Sequence, residues 1–351
     1  MTLGPLMIDV AGTALSSEDR DVLMHPLVGG VILFTRNFAD VTQLEQLVRE
    51  IRAVRQPPLL VAVDHEGGRV QRFRNGFTVL PSMRLIGHRY RLDRHAGRDL
   101  ARQCGWLMAA ELRAIGIDIS FAPVVDLDYG ASSVIGDRAF DDNAQNVADL
   151  AIAFAHGMRD AGMAATAKHF PGHGAVVADS HVALPVDRRA YADMSNDIHP
   201  YGRLIENGLA AVMMAHVVYA QVDDRPAGFS QRWIQTELRD KLRFSGAVFS
   251  DDLNMQGASI AGEVPDRARA ALTAGCDMTP ICNNRPGVLA ALAQLNAAEW
   301  ADPVAQMRVA RLHGKPAPVR GELLASADWR RCQAAALHCQ DRPPLELNGA
   351  S

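Results

Sequence analysis

The amino-acid sequence predicts an α/β fold: a (β/α)8 TIM barrel in a single domain, followed by a C-terminal helical tail. Three observations carry this. Eight short apolar runs bounded by turn residues read as strands, amphipathic helical patterns fill most of the gaps, and polar groups collect where the runs end. The runs are too uniformly apolar for a sheet with one face in water.

The expected strands span residues 5–10, 30–34, 59–63, 117–125, 163–169, 210–215, 246–250 and 276–282. After the second, Asp40 followed by Gln43 predicts a capping box. It opens a helix with Val41, Leu44, Leu47, Val48, Ile51 and Val54 on one face. Helical periodicity also covers 92–115, 144–161, 230–242 and 265–274, with Ser230 as an N-cap and Pro265 at a helix start. Residues 320–340 read as one more helix, and the paired prolines beyond it predict fraying. The expected division is a barrel over 1–314 and a helix and tail over 315–351. An open doubly wound sheet is the competing fold, but Val10-Ala11-Gly12-Thr13 lacks the glycine spacing of its first turn.

A barrel demands that functional groups follow the C-terminal strand ends. Those ends read Asp9, Thr35-Arg36-Asn37, Asp64-His65-Glu66, Asp126, Lys168-His169, His216, Asp251-Asp252 and Asn283-Asn284. Charge at the end of a buried strand is costly unless it faces a cleft. A reaction centre is expected there.

Composition narrows the class. A net charge of −4 with mixed signs excludes the basic stripe of a nucleic-acid binder. No apolar stretch approaches the ~20 residues of a membrane helix, and the N-terminal sequence carries no cationic leader pattern. Five cysteines without CxxC spacing fit reduced thiols better than disulfides or a zinc knuckle. The expectation is a cytoplasmic monomer without metal or cofactor.

Either Asp251 or Asp252 can supply a nucleophilic carboxylate, the other capping the next helix; spacing leaves the choice open. Asp179 and His181 are two apart in a glycine-containing stretch, so carboxylate and imidazole can meet as a general-acid pair. Gly172 and Gly174 are expected to let that loop move. Lys168 and His169 offer donors and an acceptor for sugar hydroxyls. Arg69, Arg72 and Arg138 are further candidates, whereas Glu66 with Arg69 also reads as an internal ion-pair network. Asp9 and Asp126 are expected to be supports, and Met213-Met214 core packing. A metal-dependent barrel hydrolase using His169, His173, His181 and His216 is the alternative, although no HxH or HExxH spacing supports it.

In these motifs the chain resembles the bacterial β-N-acetylhexosaminidases of glycoside hydrolase family 3 in their single-domain form. The resemblance covers residues 4–312. It rests on Val63-Asp64-His65-Glu66-Gly67-Gly68-Arg69-Val70-Gln71-Arg72, Gly136-Asp137-Arg138, the run Lys168-His169-Phe170-Pro171-Gly172-His173-Gly174, Asp179-Ser180-His181, Phe249-Ser250-Asp251-Asp252-Leu253 and Cys282-Asn283-Asn284-Arg285. One departure is His65, where glutamine is frequent. The resemblance implies Asp251 as nucleophile, His181 as general acid/base held by Asp179, and Asp64, Arg72, Arg138, Lys168 and His169 as sugar ligands. It also implies a peptidoglycan-derived GlcNAc–1,6-anhydro-muramic acid substrate and no cofactor. A neutral histidine base repels anions less than a carboxylate would, so phosphate is a further expected acceptor.

Overall fold

The computed structural model describes residues 3–177, 180 and 184–341. Each expected run overlaps a strand, usually shorter than the run; β2 begins two residues before its run and β7 ends one residue after its own. In chain order the strands are β1 (Leu6–Ile8), β2 (Val28–Leu33), β3 (Leu60–Val63), β4 (His65–Gly67), β5 (Val70–Gln71), β6 (Ile119–Ser120), β7 (Thr166–Phe170), β8 (Val186–Asp187), β9 (Ala211–Met214), β10 (Val218–Tyr219), β11 (Ala247–Phe249) and β12 (Thr279–Ile281). The α-helices are α1 (Ser17–Leu23), α2 (Val41–Ala53), α3 (Met83–Leu92), α4 (Arg94–Arg113), α5 (Ala144–Asp160), α6 (Ser195–Glu206), α7 (Val264–Ala274), α8 (Arg285–Gln294), α9 (Pro303–Ala310), α10 (Arg320–Ala325) and α11 (Ala327–Asp341).

Two parallel ladders hold the main strands, in the orders β12-β1-β2-β3-β6 and β11-β9-β7. Isolated parallel bridges pair Ile119 with Ala164, Val124 with Lys168, and Phe249 with Met278, each linking the end of one ladder to the end of the other. β4 and β5 form an antiparallel hairpin directly after β3, and β8 pairs with β10. Neither pair is expected from periodicity, because both are only two or three residues long.

Alternation along the strands builds two cores. Leu6, Ile8, Val31, Leu33, Val61 and Val63 face the helices, where Leu44, Leu47, Val48 and Ile51 of α2 meet them. Met7, Ile32, Leu60, Ala62, Phe121 and Phe249 point the other way and pack on each other. Phe121 and Phe249 meet edge to face at 5.2 Å. Burial of both faces is why the strands read as unbroken apolar runs.

Helix boundaries differ from the periodicity in instructive ways. The expected helix over 92–115 begins within α3 and breaks at Asp93, whose extended backbone lets its carboxylate accept from the N–H groups of His95 and Ala96 to start α4. The expected 320–340 helix breaks at Ser326, where the hydroxyl accepts from Trp329 N at 3.1 Å. At α2 only half the capping box forms. Asp40 accepts from Gln43 N at 2.9 Å, but the Gln43 side chain accepts from Ala39 N instead of Asp40 N. The helix over Arg232–Lys241 has π-type bonding and Gln231 at its N-cap position; one residue earlier than that, Ser230 Oγ accepts from Trp233 N. Pro265 sits in the first turn of α7, as expected. The tail helix α11 packs on α3 and α4. There Trp329 Nε1 donates to Glu111 at 2.8 Å and Gln340 Nε2 to the Val79 carbonyl at 2.7 Å.

Candidate active site

A cavity of ≈ 520 Å³ opens at the C-terminal ends of the strands. Its wall carries Asp64, Arg72, Arg138, Lys168, His169 and Asp251, and its floor is Ile32, Phe121 and Met213. Six of the eight expected site residues therefore meet in one place. Asp179 and His181 lie outside the described residues; Ser180, between them in sequence, lines the cavity. Met213, expected as core, belongs to both the floor and the inner apolar cluster.

Rigid elements present these groups. Asp64 joins β3 to β4, Arg72 follows β5, and Arg138 ends the one-turn helix Gly136–Arg138. Lys168 and His169 are consecutive in β7, so strict alternation would send them to opposite faces. The pairing register of β7 on β9 shifts between Lys168 and Phe170, and both side chains reach the cavity.

The cations are held by carboxylates. Lys168 Nζ is 2.7 Å from Glu66 Oε1 and 3.0 Å from Asp64 Oδ1. Arg138 grips Glu66 with two bonds, Nε to Oε2 at 2.9 Å and an Nη to Oε1 at 2.8 Å. Arg72 pairs with Asp64 at 3.3 Å. Burial opposes ionisation of Asp64, but Lys168 and Arg72 hold its carboxyl below the usual range. Burial opposes Glu66 likewise, and Arg138 with Lys168 holds it well below. Neither acid has a proton to give at neutral pH. Glu66 lines the cavity and anchors two expected sugar ligands; its place in a crowded DxEGG stretch was the only sequence signal for this. Arg69 also lines the cavity and pairs with Asp137 at 3.0 Å, as the network reading anticipated.

His169 Nδ1 lies 2.7 Å from Asp126 Oδ2. A carboxylate only accepts, so Nδ1 carries the hydrogen and Nε2 is left as the ring's acceptor nitrogen when neutral. Asp126 also accepts from His173 N at 2.7 Å, and Asp9 accepts from Asn283 N at 2.7 Å while pairing with Arg36. Both are supports.

The acidic pair divides its labour. Asp252 Oδ1 accepts from Asn254 N at 3.0 Å and Cys282 N at 2.9 Å, tying the loop after β11 to the end of β12. Asp251 Oδ1 accepts from Asp252 N at 2.8 Å, and among the described residues no donor reaches its other oxygen. Burial disfavours the Asp251 carboxylate, yet His169, His216, the Asp252 N–H and Lys168 keep its pKa below the ordinary value. It is an ionised, oriented carboxylate facing a cavity. Burial pushes Asp252 the other way, up to about 7.

Gly172 and Gly174 are packing positions: a Cβ on Gly174 would sit 1.8 Å from the Leu127 carbonyl oxygen, and one on Gly172 would meet Asp197 at 2.8 Å. Of the histidines of the metal alternative, His173 Nε2 meets Ser180 Oγ and His216 Nε2 the Asp251 carbonyl, whereas His181 lies outside the described residues. Among the described residues no group of three or more His, Cys, Asp or Glu is arranged to hold a metal ion. Nor is any described helix long and apolar enough to cross a membrane.

Residues 5–312 match the Glycosyl hydrolase family 3 N-terminal domain. A β-hexosaminidase of Thioalkalivibrio sulfidiphilus is 56% identical over 348 residues, 99% of this chain and 100% of its own. The crystal structure of NagZ from Neisseria gonorrhoeae in complex with N-trifluoroacetyl-D-glucosamine matches with a TM-score of 0.92 at 41% identity, covering 97% of this chain and 99% of that one. The same protein in complex with zinc ion matches with a TM-score of 0.90 at 40% identity, over 97% and 98% of the two chains. The chain belongs to glycoside hydrolase family 3, among its single-domain bacterial β-hexosaminidases.

Proposed function

We propose that the protein is a retaining exo-β-N-acetylglucosaminidase acting through a glycosyl–Asp251 intermediate. The observation that carries the reading is the Asp251 carboxylate in the cavity wall, ionised, held at one oxygen and, among the described residues, without a donor at the other. Asp251 attacks the anomeric carbon while protonated His181, oriented by Asp179, donates to the leaving oxygen. Neutral His181 then takes a proton from water, which releases the sugar and restores Asp251. Most retaining glycosidases use a second carboxyl as acid. Here Asp64 and Glu66 are locked as anions by Lys168, Arg72 and Arg138, which favours a histidine in that role.

Asp64, Arg72, Arg138, Lys168 and His169 bind the terminal sugar. The ion-paired ring of groups offers donors and acceptors to its hydroxyls, and Ile32, Phe121 and Met213 give an apolar floor. The amino-sugar ligand of the Neisseria relative supports GlcNAc as that sugar. The substrate is a GlcNAc–1,6-anhydro-muramic acid fragment, with or without peptide, and the setting is cell-wall recycling by a cytoplasmic monomer without a metal or cofactor. The eight main strands close as a (β/α)8 barrel over 1–314, with 315–351 as an appended helical tail. The bridges between ladder ends and the inner apolar cluster support closure.

The test is release of 4-nitrophenol from its β-N-acetylglucosaminide by wild type and Asp251→Ala, with and without chelator. Chelator-resistant release that vanishes in the variant supports the reading. Loss of wild-type activity on chelation returns the metal-dependent alternative.

A further inference from the structure

Two buried histidines beside the cavity take no part in this scheme, and their contacts lead to its opposite halves. His216, just after β9, is fully buried. Its Nε2 lies 3.1 Å from the backbone carbonyl oxygen of Asp251. A carbonyl only accepts, so Nε2 carries the hydrogen and the ring acts as a donor. Nδ1 has no partner among the described residues. The ring lies against Phe229 at 5.1 Å and against Gly228, where a Cβ would be 3.3 Å from the ring's Cε1 and Nδ1; at Gly257 a Cβ would be 2.9 Å from the His216 carbonyl oxygen. A ring packed this tightly has little freedom, and neither has the backbone it holds.

His173 stands on the other side. Its backbone N–H donates to Asp126, the carboxylate that also orients His169. Its Nε2 is 3.2 Å from Ser180 Oγ. Ser180 is 2% exposed, and its carbonyl accepts from Gly257 N at 2.8 Å. The residue between Asp179 and His181 is therefore fixed through both side chain and backbone.

We propose that His216 and His173 are positioning residues for the two halves of the reaction, His216 holding the nucleophile Asp251 and His173, through Ser180, holding the chain between Asp179 and His181. The proposal rests on the Asp251 and His181 roles given above. If the two rings merely filled space, replacing His173 would slow every substrate alike, and glutamine would rescue neither site. Positioning predicts leaving-group dependence at His173, a common factor at His216, and rescue by glutamine at both. Protonation of the leaving oxygen matters for poor leaving groups and hardly at all for good ones, whereas nucleophilic attack is needed by both.

The experiment measures kcat/KM for β-N-acetylglucosaminides from dinitrophenyl through phenyl to a GlcNAc disaccharide. The variants are His173→Leu, Ser180→Ala, His216→Leu, His173→Gln, His216→Gln and His181→Ala, with binding of free GlcNAc and thermal midpoints as folding controls. A general acid is worth ~10²–10⁴ and a misplacement of about 1 Å costs up to ~10². His173→Leu and Ser180→Ala should thus slow the disaccharide by ~10–10² and the dinitrophenyl substrate by less than about threefold, a milder copy of His181→Ala. His216→Leu should slow the whole series by one common factor. Glutamine, whose amide nitrogen reaches about as far as Nε2, should restore most of the rate in each case. A flat series for His173→Leu and Ser180→Ala beside a sloped one for His181→Ala overturns the His173 half. A sloped series for His216→Leu, or no rescue by glutamine, overturns the other. A flat His181→Ala series overturns the acid assignment itself, and the His173 half with it.

Discussion

Glu66→Gln is the substitution whose outcome the geometry constrains most. It keeps the side-chain shape and removes one charge that serves two buried cations. The Glu66 and Lys168 side chains are 2% and 3% exposed and that of Arg138 is 10%, so solvent screens little of the loss. Removing one partner of a buried ion pair costs ~3–5 kcal/mol. Lys168 keeps Asp64 at 3.0 Å and the amide oxygen still accepts, which places the expected loss near the low end, about 3 kcal/mol. Urea unfolding at pH 7 reads it directly. The KM for an aryl N-acetylglucosaminide should rise by ~10-fold as Arg138 and Lys168 lose their anchor, equivalent to about 1.4 kcal/mol of binding. The pH dependence has a definite sign. Arg138 and Lys168, against burial, hold the folded Glu66 pKa well below its unfolded value of ~4.3. Its contribution is complete above that value and lost as pH falls toward the folded one. The gap between wild type and variant should therefore stay constant from pH 8 to about 5 and narrow below about 4. A loss under ~1 kcal/mol at pH 7, or a gap that widens in acid, would refute the strut role of Glu66.

Asp252→Asn keeps an acceptor for Asn254 N and Cys282 N while deleting a carboxyl that burial pushes up to about 7. A raised carboxyl contributes full stability below its unfolded pKa and loses it as pH rises, so the variant's stability should vary less than wild type between pH ~4 and 7. Turnover of poor leaving groups should persist; its selective loss would make Asp252 the acid. His65 is buried beside Phe73 and Phe77, and burial followed by Arg74 and Arg72 drives its pKa down to about 3. It stays neutral in the folded state, so stability falls as pH drops below ~6.5 toward 3, and His65→Gln should flatten that fall in thermal melts. Phosphate should compete with water as acceptor when the base is neutral His181, giving a sugar 1-phosphate beside free GlcNAc; identical products with and without phosphate would argue against it.

Much of the fold was legible because both faces of the main strands are buried, leaving unbroken apolar runs that end in Asp64, Lys168 and Asp251. Local chemistry hid the rest. Asp93 interrupts a continuous amphipathic stretch, and only its extended backbone reveals that it caps α4. Ser326 does the same for α11. The β4–β5 hairpin is too short for periodicity, yet it carries Glu66 into the cavity wall. Spacing could not separate Asp251 from Asp252, because the distinction lies in Cys282 N, 30 residues away, which Asp252 must satisfy. Strand alternation would have hidden Lys168 or His169, since the register shift that shows both is invisible in sequence. The loop glycines carry a second requirement that spacing does not show: at Gly174 the chain passes so close to the Leu127 carbonyl that a Cβ would not fit.

The central claim is that Asp251 bonds covalently to the sugar. Its most direct test is a fluorinated N-acetylglucosaminyl donor with an activated leaving group, which slows breakdown of the intermediate, followed by intact-mass and peptide mass spectrometry. The account predicts one glycosyl adduct per chain, on the peptide containing Asp251, and none in Asp251→Ala. An adduct on another residue, or turnover with no adduct in wild type, would contradict it.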